Sequence, residues 1–206
     1  MTLRFAVVHE AEADFILATD LADRVILEAI PWWHGDVEQL GYQREWLAET
    51  ASRERLTWTG IKKLAPEAGI RVHGHFDGEP ALPDAAAARR AIFYLREKFP
   101  DLTAIVLMRD QDDKPERRRG LDQARKGHHG GIKIVVGLAV VERESWVISG
   151  FVPRYDTESA RLEEERKNLG FDPRTRSHEL TACKNDLAKR SPKRVDRKST
   201  RLNSSH

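Results

Sequence analysis

The sequence has very little cysteine and no long hydrophobic run. Cys183 is the single cysteine in 206 residues, which excludes an internal disulfide and is typical of a reducing compartment. No segment approaches the roughly 18 consecutive apolar residues of a membrane span. The N-terminus enters an apolar run at once, without the pattern of a signal peptide. We therefore expect a cytoplasmic protein without membrane association.

The sequence also lacks a net positive charge once its C-terminal residues are left out. Residues 196–206 resemble the in-frame translation of a common sequencing-adapter oligonucleotide, and we interpret them as an artefact that replaces the natural continuation of a truncated fragment. They carry three basic residues and one acidic residue, so leaving them out takes the formal net charge from +2 to zero. Overall charge therefore gives no argument for nucleic-acid binding.

Short apolar runs alternate with segments of helical periodicity through the first 150 residues. Residues 3–8 and 132–141 predict strands, and residues 85–98 predict a helix capped by Asp84. Further strands are predicted at 69–76 and at 104–108, and helices at 12–30, 115–126, 142–149 and 158–169. This alternation predicts an α/β fold, Rossmann-like, with a mostly parallel sheet flanked by helices.

Four of the five tryptophans lie in a segment that is longer than a crossover between strands requires. We interpret residues 31–68 as a Trp-rich helical insertion, with helices at 37–50 and 57–66. The predicted organisation is an α/β domain over residues 1–152 that contains this insertion, a partial helical extension over 153–195, and the adapter sequence after it.

Three carboxylates follow directly on one of the most apolar segments. Ala104–Met108 is typical of a strand buried on both faces, and Asp110, Asp112 and Asp113 come within five residues of its end. Ligands of open α/β sheets bind at the carboxyl ends of the strands. Crowded carboxylates repel one another unless a proton or a cation neutralises them, and Mg²⁺ is the usual hard cation. An ordinary solvated Asp-rich turn is the alternative.

Glu10 follows the first predicted strand in the same way. Because neighbouring parallel strands bring their carboxyl ends to one edge, we expect Glu10 to meet Asp110 and Asp112. Such a set would hold one or two Mg²⁺ or Mn²⁺ ions and could act in general acid–base catalysis. Glu12 and Asp14 have a simpler explanation as well, since acids in the first turn favour the helix dipole.

Two of these segments resemble the signatures of the Toprim (topoisomerase–primase) domain. Residues 7–14, Val-Val-His-Glu-Ala-Glu-Ala-Asp, resemble its first signature, an apolar strand, a Glu, usually a Gly, and an acid four residues after the Glu. Residues 109–113, Arg-Asp-Gln-Asp-Asp, resemble its Asp-x-Asp signature. The chain departs from the family in having Ala11 where Gly is usual and in the long spacing that the Trp-rich insertion creates.

The resemblance implies that Glu10, Asp110 and Asp112 bind Mg²⁺ and support cleavage or transfer at phosphodiester bonds. Residues 144–148, Glu-Ser-Trp-Val-Ile, are similar to a motif of Toprim-like proteins in bacterial defence, including relatives of the OLD nucleases. The implied activity is a nuclease in phage defence, with nucleic acid as substrate and an ATPase as partner chain. Additional candidate ligands are Asp14, Asp113 and Glu144, and candidate phosphate contacts are Arg109 and Arg117.

Two other classes of function stay open. One is a different Mg²⁺ phosphotransfer enzyme or phosphatase with an acidic pocket. A haloacid-dehalogenase-type phosphatase has its nucleophilic Asp after the first strand, where this chain has Glu10, and a receiver domain requires nearly the reverse arrangement of acids. The other is a non-catalytic binding or regulatory module with the same fold, against which the retained Glu10, Asp110 and Asp112 argue.

Overall fold

The structure is a computed structural model that describes residues 2–30, 37–47, 56–112, 114–128, 130–181 and 184–199. Its elements follow in chain order. They are β1 (Leu3–Val8), α1 (Glu12–Ala29), α2 (Val37–Gln43), β2 (Arg44–Trp46), α3 (Trp58–Glu67), β3 (His75–Phe76), β4 (Glu79–Pro80), α4 (Ala85–Lys98), β5 (Ala104–Asp110), α5 (Arg117–Lys126), β6 (Lys133–Ala139), α6 (Arg143–Gly150), α7 (Asp156–Leu169), a 3₁₀ turn (Ser177–Glu179) and α8 (Pro192–Ser199).

A four-stranded sheet in the order β2-β1-β5-β6 confirms the predicted α/β fold class. Strand β1 pairs in parallel with β2 on one side and with β5 on the other. Two hydrogen bonds show that β6 runs in the same direction as β5. Lys133 N–H donates to the Thr103 carbonyl at the start of the two strands, and Gln111 N–H donates to the Ala139 carbonyl at their end. The parallel sheet that the apolar runs predict is therefore present.

The chain divides into two compact units. The first comprises Met1–Arg109 and Glu116–Leu138, and the second comprises Asp110–Pro115 and Ala139–His206. The sequence pattern predicts one α/β domain through residue 152, whereas these units divide after Arg109 and after Leu138, so that α6 belongs with the C-terminal residues. In the described part of the chain, no helix combines the length and the apolar character needed to cross a membrane.

Apolar spacing explains the core of the first unit. The side chains of Phe5–Val8, Ile105 and Leu107 are buried, as expected for strands covered on both faces. Helix α4 presents a buried stripe with the three- and four-residue spacing of a helix face. The members of this stripe are Ala88, Ala91, Ile92 and Leu95. The predicted helix at 85–98 has the bounds that the structure gives to α4.

The second unit has a smaller core of its own, formed by Ile148, Leu169, Phe171, Leu180 and Val195. Beside it, the buried Glu165 carboxylate accepts two hydrogen bonds from the Arg194 guanidinium, at 3.1 and 2.6 Å. Buried charges require such pairing. Helix α8 continues past residue 195, where the sequence predicts the start of the adapter, and residues 200–206 lie outside the described part.

Two predicted elements differ from the structure. The predicted strand at 69–76 contributes only β3, which pairs antiparallel with β4 outside the main sheet. Asp77 and Gly78 join them with φ of +51° and +90°, the left-handed pair of a two-residue hairpin turn. The predicted helix at 37–50 ends at Gln43, because Arg44–Trp46 forms the edge strand β2, with the Trp46 ring 5.1 Å from that of Phe5.

Among the described glycines of the first unit, Gly120 of α5 has the least room for a side chain. A Cβ at this position would lie 1.7 Å from the Pro83 carbonyl oxygen, so the backbone before α4 would have to move. We predict that Gly120→Ala lowers the free energy of unfolding by about 1–3 kcal/mol, the usual cost of overpacking.

Gly41 in α2 is the matched control, because nothing lies within 4 Å of its added Cβ. Gly41→Ala should raise the free energy of unfolding by about 0.5–1 kcal/mol through helix propensity. Urea unfolding of both variants checks this pair. Equal stability of Gly120→Ala and the wild type would contradict the close approach.

Candidate active site

Two loops of the second unit are joined through their backbones at the carboxyl ends of β5 and β6. The first, which we call the acidic loop, is Asp110–Pro115, and the second, the Val141 loop, is residues 139–142. Gln111 N–H donates to the Ala139 carbonyl at 2.8 Å, and Asp112 N–H donates to the Val141 carbonyl at 3.0 Å. The second of these hydrogen bonds therefore holds Asp112 beside the backbone that leads into Glu142.

The two residues that make the second hydrogen bond both have left-handed backbone. Asp112 has φ of +49° and Val141 has φ of +71°. Asp tolerates this region, but a β-branched residue there is a genuine outlier that costs on the order of 1–3 kcal/mol. Such strain persists only where the surroundings enforce it, and it is concentrated at active sites and ligand sites.

Glu142 and Glu144 flank the start of α6 and are both buried, at 7% and 6% exposed. Burial of the Glu142 carboxylate raises its pKa. The carboxylates of Glu144, Asp112 and Asp186 raise this pKa further, while the ammonium of Lys193 acts in the opposite direction. A carboxyl with a raised pKa beside other acids is a candidate for proton transfer.

Lys193 is the cation of this group. Its Nζ lies 3.7 Å from Glu142 Oε1 and 3.5 Å from Asp186 Oδ1. Burial by itself lowers the Lys193 pKa, but the surrounding carboxylates outweigh it, so that the pKa is raised and the ammonium stays charged. We call Asp112, Glu142, Glu144, Asp186 and Lys193 the Glu142 cluster.

Two buried atoms near the start of α6 have no hydrogen-bond partner among the described residues. They are Oε2 of Glu142 and Oγ of Ser145, a residue that is only 1% exposed. Glu144 differs, because its Oε1 accepts a hydrogen bond of 2.6 Å from Arg143. Unsatisfied buried oxygens are rare in proteins and point to a water or an ion as partner.

The donor chemistry of the Glu142 cluster fits a hard divalent cation, which prefers several carboxylate oxygens. Within the described ranges, however, no three His, Cys, Asp or Glu side chains converge in positions that could hold a metal ion as they stand. Asp112, with an exposed side chain, and Glu142, with its unpartnered oxygen, are the acids best suited to receive one. The Mg²⁺ site therefore stays a prediction.

The other predicted acids lie in the first unit or outside the described residues. The side chain of Glu10 is exposed, and its Oε1 lies 3.2 Å from Nε of Arg109. The Asp14 carboxylate accepts a hydrogen bond from Ala11 N–H at 2.8 Å and so helps to start α1. Asp113 lies outside the described residues. A shared metal site of Glu10 with Asp110 and Asp112 stays a prediction, because Glu10 belongs to the first unit and the two aspartates to the second.

The two predicted phosphate contacts form an ion-pair network with Asp84 in the first unit. Arg117 is 3% exposed, and its Nε donates to Asp84 Oδ2 at 2.6 Å. Arg109 is less enclosed and lies 3.5 Å from Asp84 Oδ1 through Nη2. The guanidinium of Arg109 therefore remains the more accessible of the two for a phosphate.

The sequence patterns single out neither Lys193 nor Asp186 nor Ser145. Pro192, which begins α8, was the available signal, because a proline at the first helical position fixes where the helix starts. No protein-family model matches the chain, and neither a curated protein nor a solved structure shows significant similarity to it.

The raised pKa of Glu142 predicts a pH-dependent effect of Glu142→Gln. A carboxyl whose pKa is higher in the folded state than its ordinary value of 4.5 binds its proton more tightly when folded. This destabilises the wild type progressively as the pH rises above that value. We expect the unfolding free energy of Glu142→Gln, relative to wild type, to increase between about pH 4 and pH 8.

Urea unfolding followed by tryptophan fluorescence at both pH values measures this difference. Glu164→Gln, at an exposed position of α7, is the control substitution. A Glu142→Gln variant that becomes less stable relative to wild type as the pH rises would show that Lys193 stabilises the charged carboxylate more than burial disfavours it.

Proposed function

We propose that this chain is a Mg²⁺-dependent nuclease that cleaves phosphodiester bonds of nucleic acid, with chemistry of the Toprim type. The proposal is supported chiefly by the hydrogen bond from Asp112 N–H to the Val141 carbonyl, which holds one acid of the Asp-x-Asp pair next to the buried Glu142 at the carboxyl ends of neighbouring strands. This edge is the usual ligand-binding edge of a parallel sheet.

Four charged residues of the second unit have proposed roles that follow from their surroundings. Asp110 and Asp112 supply carboxylate oxygens for the cation, with Glu142 as a further ligand through its unpartnered Oε2. A bound divalent cation would polarise the scissile phosphate and lower the pKa of an attacking water. Burial among other acids raises the pKa of Glu142, a repulsion that a bound cation would relieve, and Lys193 offsets part of the negative charge.

The wider role follows from the family resemblance alone. In this proposal, the nuclease acts in bacterial defence against phage, with an ATPase chain as its partner. Glu10 remains a proposed member of the metal-binding set in the first unit, where its ion pair with Arg109 would have to open for it to bind a cation.

A nuclease assay tests the proposal directly. Plasmid, linear and single-stranded DNA and RNA are incubated with the protein in Mg²⁺, in Mn²⁺ and with chelator. We expect cleavage that requires the metal and that falls by about 100-fold in Glu142→Gln, because the cation loses a carboxylate ligand. Asp110→Asn and Asp112→Asn should lose activity to a similar extent.

Glu164→Gln is again the matched control. Glu164 is exposed on α7, so this substitution should leave cleavage unchanged. Metal-independent cleavage would refute the proposal. So would equal activity in Asp110→Asn, Asp112→Asn and the wild type.

A further inference from the structure

A small cleft in the first unit opens where helices α3 and α4 begin. It has a volume of about 200 Å³ and is bordered by Trp58, Thr59, Lys62, Asp84, Arg90 and Arg109. Typical pockets for whole small molecules measure about 300–1,000 Å³. The size of this cleft therefore suits one chemical group of a larger ligand.

The charges around the cleft favour an anion. Its one acid, Asp84, is already neutralised by Arg117 at 2.6 Å and lies 3.5 Å from Arg109. Lys62 is exposed and Arg90 half-buried, and neither forms an ion pair within the described part of the chain. The cleft therefore has two cations whose charge is not offset.

The backbone adds to the positive electrostatic potential of the cleft. Trp58 is the first residue of α3, and Asp84 immediately precedes α4, so two helix N-termini border the cleft. Helix N-termini carry partial positive charge and favour anions such as phosphate. The N-cap of α3 is fixed, because the Thr57 hydroxyl accepts a hydrogen bond from Gly60 N–H at 2.9 Å.

Trp58 forms a rigid wall of the cleft. Its indole N–H donates to the Met108 carbonyl at 2.9 Å, and the Arg109 guanidinium lies 4.9 Å from the ring centroid. Arg109 also forms an ion pair with Glu10, with 3.2 Å between Arg109 Nε and Glu10 Oε1. Because these contacts fix the Arg109 head group, an anion would be received without first ordering that side chain.

We infer that this cleft binds a phosphate group of a nucleic-acid strand through Lys62 and Arg90, with Arg109 and the helix N-termini completing the positive field. The inference rests on the proposed function, because the strand is the proposed substrate. It adds a binding site in the first unit, of which Lys62 and Arg90 lie far in sequence from the proposed catalytic residues of the second unit, whereas Arg109 directly precedes Asp110.

Salt-dependent binding tests the inference without any cleavage. Binding of a fluorescein-labelled single-stranded oligonucleotide, and of the same sequence as a duplex, is measured by anisotropy in chelator at several salt concentrations. Each phosphate contact contributes a slope of about 0.7 for single strands and about 0.9 for duplex in log K against log salt. Because Lys62 and Arg90 share one phosphate in this inference, Lys62→Gln/Arg90→Gln should reduce the slope by about 0.7 for the single strand or about 0.9 for the duplex.

Lys63→Gln is the matched control, because Lys63 is the exposed neighbour on α3 that does not line the cleft. Lys62→Glu provides a second variant at an exposed position, and it should weaken binding more than Lys63→Glu does. Equal slopes for the double variant and Lys63→Gln would overturn the inference. So would a double variant that loses affinity only for inorganic phosphate and retains the wild-type slope for the oligonucleotides.

The two proposals fail in different ways. Absence of metal-dependent cleavage together with the predicted change in slope would remove the nuclease and leave the phosphate site in place. Metal-dependent cleavage together with an unchanged slope would remove the phosphate site and leave the nuclease in place.

Discussion

The second unit depends on the pair of backbone hydrogen bonds that join the acidic loop to the Val141 loop. Gln111 and Asp112 donate to the carbonyls of Ala139 and Val141, at the point where two parallel strands end. Without these bonds, the carboxylates that follow β5 and β6 would be free to move apart. The left-handed backbone of Val141 is the conformational cost of this arrangement, and only the surrounding contacts maintain it.

The same bonds bring like charges together, which a fold would ordinarily avoid. Burial and neighbouring carboxylates raise the pKa of Glu142, and its Oε2 has no hydrogen-bond partner in the part of the chain that the structure describes. Lys193 offsets only part of this charge, from 3.7 Å. A site that is strained, acidic and incompletely satisfied has the properties expected where a cation binds.

The sequence predicted the elements whose signals are local. The strands at 3–8 and 104–108 and helix α4 follow from apolar runs and periodicity, and Asp110 and Asp112 are candidates because they come directly after an apolar run. The three residues of β2 were missed because so short a strand is defined only by its pairing with β1. Lys193 was missed because its partner Glu142 lies about fifty residues away, and only tertiary packing brings them together.

The most direct test of whether the Glu142 cluster binds a divalent cation is the effect of that cation on the free energy of unfolding. A ligand that binds only the folded state raises the unfolding free energy by about 2.7 kcal/mol when its free concentration is one hundred times its Kd. We predict that the wild type becomes more stable as Mg²⁺ or Mn²⁺ is added, and that Asp112→Asn and Glu142→Gln lose most of this gain. A wild type whose stability does not change with either cation, or variants that gain as much as the wild type, would contradict the claim.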